Sequence, residues 1–312
     1  MSERPVQSDL NNALNILKQG DLKRTYSELE KLLKDDLENA EIEYTLKGVR
    51  FWEEKLERAK KASTPLERAE LMISQWKSFL AYIRRQGQEK ESIIYALKCA
   101  VFTIALDFYA DLFKEESELP DAEPYRKIGL CYKVLGNYER ALDFLKYAAE
   151  IDKNSGTILA DLADCYALYG EIKFAKAFFR EAFFIDPAAI ELQFMESEII
   201  HRLIQRVQSC GYNIEETAYW IPVYGVLDGV FNVRRELRAF EVGQLKQKIF
   251  LMENEVQAES QNRKNGLVPR LINYYFWLID HYVNVNENKS KIDDLLLRIK
   301  VLDQNIYNSY MR

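Results

Sequence analysis

His201 and His281 are the two imidazoles in this 312-residue chain, so acid–base work or metal ligation by histidine would have to run through them. Each lies in a stretch of helical periodicity with no second His or Cys at ligand spacing, and both are expected to be solvated or packed structural residues. GxSxG, HExxH, Walker and GxGxxG patterns are absent. Among the 49 Asp and Glu, Asp161 and Asp164 share one helix face and could hold a cation or a basic peptide; a solvated surface pair is the expectation. Cys99, Cys131, Cys165 and Cys210 form no CxxC pair and are expected to be buried, reduced thiols that pack as small hydrophobes. The aromatic run Tyr274–Trp277 would stack nucleobases if cations were interleaved with it, but Arg270 is the main one nearby, so packing within a helical tail is expected. Tyr219–Trp220–Ile221–Pro222 is expected to be a buried wedge rather than an exposed loop. No catalytic residue, metal ligand or cofactor is therefore assigned, and the chain is expected not to be an enzyme.

Composition agrees with that reading. Gly (12) and Pro (7) make up about 4% and 2% of the chain, against a usual level of about 7% and 5%. The shortage counts against sandwiches, barrels and glycine-rich phosphate loops. Hydrophobic residues at 48%, with 29% charged residues of mixed sign, predict a buried core, and the length suits roughly two domains. A net charge of −6 offers no footprint for duplex nucleic acid or anionic lipid. The start, MSERPVQSDLNN, lacks the apolar core of a signal peptide. No stretch reads as apolar enough to span a bilayer; the nearest, Leu267–Val285, is interrupted by Arg270, Asn273, Asp280, His281 and Asn284. The expectation is a cytoplasmic protein with no nucleic-acid partner and no membrane insertion.

The elements that organise these residues repeat. Cys131 and Cys165, Tyr132 and Tyr166, Gly136 and Gly170, Ala141 and Ala175, Ala148 and Ala182, and Asp152 and Asp186 are all 34 residues apart. Ile128, Tyr132 and Leu135 recur at helical spacing, as do Leu162, Tyr166 and Tyr169. Gly136 and Gly170 then stop a first helix, where a left-handed residue is easiest for glycine. Ala141 and Ala175 sit where a second helix must approach the first closely. Leu145, Ala148 and Ile151, matched by Phe179, Ala182 and Ile185, continue its apolar face, and Pro187 ends the second unit. Such hairpins cannot bury their faces alone, so neighbours must stack.

Tyr125, Ile128, Gly129, Tyr132, Gly136, Ala141, Leu145 and Ala148, then Leu159, Leu162, Ala163, Tyr166, Gly170, Ala175, Phe179, Ala182 and Pro187, resemble the signature of the tetratricopeptide repeat (TPR) family. The resemblance is carried by residues 122–155 and 156–189, with Lys153 standing where the first unit would have proline. It implies an all-α, TPR-like α-solenoid, a right-handed superhelix of about five helical hairpins, followed by a C-terminal helical region. It also implies a concave groove lined by the first helix of each unit. Carried over by position, the groove residues are Glu123, Arg126, Leu130 and Lys133, then Thr157, Ala160, Asp164 and Ala167, with Asp161 beside Asp164. Leu130 and Asp164 stand where chaperone-binding members have asparagine, so the chain departs from that carboxylate clamp. The implied function is a non-catalytic adaptor or scaffold that binds a partner peptide or helix in the groove. The alternative is a sensor whose groove ligand alters packing or oligomerisation of the C-terminal helices.

Beyond the two clear units the pattern fades. Leu10, Ala13, Leu14 and Leu17, stopped by Gly20, and Leu22, Tyr26, Leu29 and Leu33 predict a first hairpin. Glu41–Arg85, broken at Ser63–Thr64–Pro65, fits an enlarged hairpin whose EEKLERAKK run pairs Glu54 with Arg58 and Glu57 with Lys61 on a solvated face. Gln86–Leu119 reads as a degenerate hairpin with Ala100 at its turn. After residue 195, Glu196–Ser209 reads as a helix and Gly211–Gly229 as a less regular connector. A long helix with Val242, Leu245, Ile249, Met252 and Val256 is closed by Asn265–Gly266, and a last one carries Ile292, Leu295, Ile299, Leu302 and Ile306. These narrow stripes predict an antiparallel pair, or a homodimer through the C-terminal helices. The expected domains are a repeat domain, 1–195, and a C-terminal helical domain, 196–312.

Overall fold

Side chains that accept from the first amides of a helix mark the starts of α-helices such as those at Leu22, Ala40, Pro65, Gly156 and Ile214. The computed structural model describes residues 3–87, 89–115, 121–233, 235–258 and 264–312, with no strand among them. The all-α class expected from sequence is what forms. The chain forms two compact units, Met1–Ala148 and Ala149–Arg312.

In the first unit α1 (Glu3–Lys18) and α2 (Leu22–Asp35) form the expected hairpin, turning at Gly20 with φ of +83°. Asp21 caps α2 by accepting from the Arg24 amide at 3.0 Å. Asn39 caps α3 (Ala40–Ala59) in the same way. The Ser63–Thr64–Pro65 break is a helix start, where Thr64 and Glu67 form a capping box on α4 (Pro65–Ser74) with Pro65 in its first turn. Gln75 joins α4 to α5 (Trp76–Arg84), so the enlarged hairpin is three helices, with the buried Trp52 and Trp76 rings stacked 6.0 Å apart. The charged run on α3 is solvated, with Glu57 pairing Lys60 at 3.0 Å rather than Lys61.

The expected turn at Ala100 does not form. One 25-residue helix, α6 (Glu91–Glu115), runs through it. With no Gly or Pro in this stretch nothing breaks the helix, and alanine is the residue helices favour most. Residues 88 and 116–119 of the expected degenerate hairpin lie outside the described residues. Packed by α1, α3 and α4, α6 is the central helix of this unit, with Leu97, Ala100, Phe102 and Tyr109 fully buried. Gly48 lets Leu97 approach, since a Cβ there would lie 2.6 Å from a Leu97 methyl. Glu91–Leu112 is also long and apolar enough to cross a membrane, correcting the sequence reading, which overlooked it. Two further helices, α7 (Ala122–Val134) and α8 (Tyr138–Ile151), turn at Gly136 with φ of +78°. They are the first clear repeat hairpin.

In the second unit α9 (Gly156–Tyr169) and α10 (Ile172–Ile185) turn at Gly170, φ +96°. Two 3-10 turns, Pro187–Ala189 and Leu192–Phe194, lead to α11 (Glu198–Ser209) and α12 (Ile214–Leu227). The expected connector is thus a helix, started by a capping box between Asn213 and Glu216 and tolerating Pro222 inside it. Then follow α13 (Ala239–Ala258), α14 (Lys264–Asn284), α15 (Lys289–Leu302) and α16 (Gln304–Tyr310). Asn265–Gly266 opens α14 rather than closing α13.

The expected pairing of the two narrow stripes is shared with α14, which contacts both α13 and α15, while Glu253 of α13 and Arg298 of α15 form an ion pair at 2.6 Å. From Leu271 to Ile279 α14 is buried on every face, too wide a surface for one partner helix. Leu159, Phe179 and Phe183 of the repeat hairpin belong to one core with Ile200, Trp220, Leu245, Trp277 and Ile299. That shared core is why the compact units divide after Ala148, whereas sequence placed the boundary near 195.

Candidate functional site

Ser155 starts α9 by accepting from the Ile158 amide at 3.3 Å. Gly156 follows it because a Cβ there would lie 3.0 Å from the Ala182 carbonyl oxygen and 3.1 Å from that of Asp186. The end of α10 therefore seats directly on the beginning of α9. This close approach fixes which α9 side chains face the chain after α10.

Thr157 and Asp164 do so. The Thr157 hydroxyl donates to the Ala189 carbonyl at 3.1 Å. The Asp164 carboxylate accepts from two successive amides, Glu196 N at Oδ2 and Ser197 N at Oδ1, both at 2.9 Å. Ser197 is the N-cap residue of α11, but its own side chain makes no capping bond, and its hydroxyl is buried without a hydrogen-bond partner. Asp164, 33 residues away, holds the Ser197 amide itself, just ahead of the helix. The expected solvated Asp161–Asp164 pair is thereby corrected, because both residues are buried.

The other expected groove residues divide by burial. Ala160 is fully buried, while Ala167 is half-buried. On α7, Leu130 and Lys133 are fully buried and Arg126 nearly so. Arg126 donates through Nε and Nη2 to exposed Glu123 at 2.7 and 2.6 Å, an i, i+3 clamp that uses both carboxylate oxygens. So Glu123, Thr157 and Ala167 retain solvent exposure, whereas Arg126, Leu130, Lys133, Ala160, Asp161 and Asp164 do not present the open face their repeat positions imply. Helix periodicity assigns a face but not what covers it.

Sequence reasoning missed the ion pair between Arg180 and Asp280, both largely withdrawn from solvent, which ties α10 to α14. The Arg180 guanidinium also donates to the Val233 carbonyl at 2.7 Å and lies 4.7 Å from the centre of the Trp277 ring. The aromatic run packs within the tail as expected, with Tyr274, Tyr275, Phe276 and Trp277 buried. Trp220, Ile221 and Pro222 are buried and Tyr219 is half-buried. An open cleft of about 800 Å³ lies in this unit, walled by Trp220, Val256, Tyr275, Leu297 and Val301. Burial and the adjacent Glu253, to which its hydroxyl donates at 2.6 Å, hold the Tyr275 phenol above its usual range.

His201 lies against the Met195 carbonyl, with Nε2 at 2.9 Å, and His281 is half-buried. Among the described residues no cluster of His, Cys, Asp and Glu is arranged to hold a metal ion. Cys99, Cys131 and Cys165 are buried, but Cys210 is exposed at the end of α11, which corrects the expectation for it. Burial pushes the Cys131 thiol up. A thiol reagent at neutral pH should therefore modify Cys210 alone in the native chain and all four cysteines in denaturant; fast native labelling of Cys131 would contradict this packing.

The tetratricopeptide repeat family model matches residues 135–193. The chain thus contains a tetratricopeptide-repeat segment, running from the turn before α8 into the Leu192–Phe194 turn. It stops short of the two amides that Asp164 holds. A search of the curated proteins finds no match to the chain. Repeat segments of this family serve protein–protein interaction and are in general not catalytic.

Proposed function

We propose that this chain is a non-catalytic, cytoplasmic adaptor that holds a peptide or helix of a partner protein along α9. The observation that carries the reading is the Asp164 carboxylate accepting two successive backbone amides, with the Thr157 hydroxyl donating to a backbone carbonyl. Groups aimed at main chain, on the helix that the repeat uses for recognition, are what capture of a peptide segment needs. Ala167 lies on the same helix, is half-buried and offers a site for a probe. A photo-crosslinking residue there should couple the chain to one partner protein, while the same residue at exposed Phe250 on α13 should not. Coupling from Phe250 with none from Ala167 would place the partner on the tail instead.

The sensor reading has its own support. Arg180–Asp280 and Asp164–Ser197 tie the two helices of the repeat hairpin to α14 and to the start of α11. Whatever moves α9 or α10 therefore pulls on the C-terminal helices. Exposed Phe250, Leu297 and Val301 on α13 and α15 are the apolar side chains through which a second copy would associate.

A further inference from the structure

We infer that residues 187–197 are an internal ligand of the repeat: they occupy the partner face of α9, and a partner segment of the same chemistry must displace them. The inference rests on the adaptor reading above and supplies its regulation. Two of the positions expected to face a partner, Thr157 and Asp164, spend their hydrogen bonds on this segment, at Ala189 and at Glu196 and Ser197. Both contacts are to main chain, so a foreign segment could make them equally well.

The segment also has the form of a bound peptide. It is two 3-10 turns with extended residues after them, Ile190 at φ −72°, ψ 121° and Met195 at φ −77°, ψ 129°. Ile190, Phe194 and Met195 are buried. Ile190 and Met195 belong to the same core as Leu159, Ala160 and Ala163 of α9. Glu191 lies between Ile190 and Phe194, and Glu196 follows Met195. The matching partner is a segment with an Ile-x-x-x-Phe-Met-like apolar pattern and acidic neighbours, followed by two successive amides that Asp164 would hold just ahead of a helix.

The hold on the segment is borrowed from another helix. Ser197 does not cap α11 itself, and the two amides just ahead of α11 are held by a carboxylate on α9. A carboxylate accepts hydrogen bonds and donates none, which suits two amides side by side. An asparagine in its place would turn an N–H group towards one of them.

The test uses the full chain and a fluorescent peptide of residues 187–199. Ser197→Pro removes one held amide at a backbone angle, φ −72°, that proline adopts, and leaves α9 untouched. Docked in place, the segment competes at a high effective concentration, so the wild-type chain should bind the peptide weakly. The Ser197→Pro chain should bind it at least about tenfold more tightly, and Asp164→Asn added to that variant should remove the gain. Equal binding by the wild-type and Ser197→Pro chains, with a melting curve showing the variant folded, would overturn the inference. If the variant does not fold, hydrogen exchange in the wild-type chain decides. The Glu196 and Ser197 amides should exchange at least about tenfold faster than the central amides of α9, by opening of the segment alone. Exchange of both sets at one common rate would mean the segment is fixed core, and would overturn the inference. Either result is independent of whether Ala167 finds a partner protein, so the two readings can fail separately.

Discussion

Replacing Arg180 with methionine should destabilise the second unit by about 3–5 kcal/mol, because it removes the cation from a buried ion pair and leaves the Asp280 carboxylate behind. Methionine refills much of the volume over Trp277, so the loss reports on charge rather than on a cavity. The Arg180 contacts to Val233 and Trp277 disappear with it. Urea unfolding of the variant measures the cost. Changing Asp280 to leucine in the same chain should recover a large part, since an apolar pair carries no desolvation penalty. A single-variant loss below about 1 kcal/mol would mean that the pair is solvated and that α10 is not tied to α14 through it.

Gly129→Leu should cost the first unit about 1–3 kcal/mol. A Cβ at residue 129 would already lie 2.6 and 2.9 Å from Leu145 carbons and 3.2 Å from the Ala141 carbonyl oxygen. Leu145 is fully buried and has nowhere to retreat, and the Ala141 contact is backbone. Replacing a helical glycine gains about 1 kcal/mol of intrinsic propensity, which is why the net effect is a test of crowding. Gly136 isolates the other reason for a glycine. Nothing lies within 4 Å of a Cβ there, so Gly136→Ala should cost about 1–2 kcal/mol from the left-handed backbone alone. Thermal melts of the two variants separate the mechanisms, and an unshifted Gly129→Leu melt would dismiss the α7–α8 contact.

The hairpins were legible because their chemistry is local. Gly20, Gly136 and Gly170 take positive φ, and Gly129 and Gly156 stand where a second chain segment comes too close for a side chain. The misread turn at Ala100 came from counting back a repeat register across a stretch that has no turn residue in it. The helix over 214–227 was signalled by Asn213 and Glu216, a capping box three residues apart, but Trp220, Pro222 and the flanking glycines suggested irregularity. Long-range covering was not legible at all. Asp164 meets Glu196 and Ser197, and Arg180 meets Asp280, at separations of 32, 33 and 100 residues, and no periodicity within one helix encodes such partners. The α9 positions could be assigned to a face from sequence, whereas the segment lying on that face is set by tertiary contacts.

That α9 is the partner surface is tested most directly by hydrogen exchange on the full chain, alone and with the protein that cross-links to Ala167. Exchange should slow on binding at Thr157 and over residues 166–169, the parts of α9 that keep solvent exposure, and quicken at Glu196 and Ser197 as the internal segment leaves. Protection confined to α13 and α15, with Glu196 and Ser197 unchanged, would contradict it.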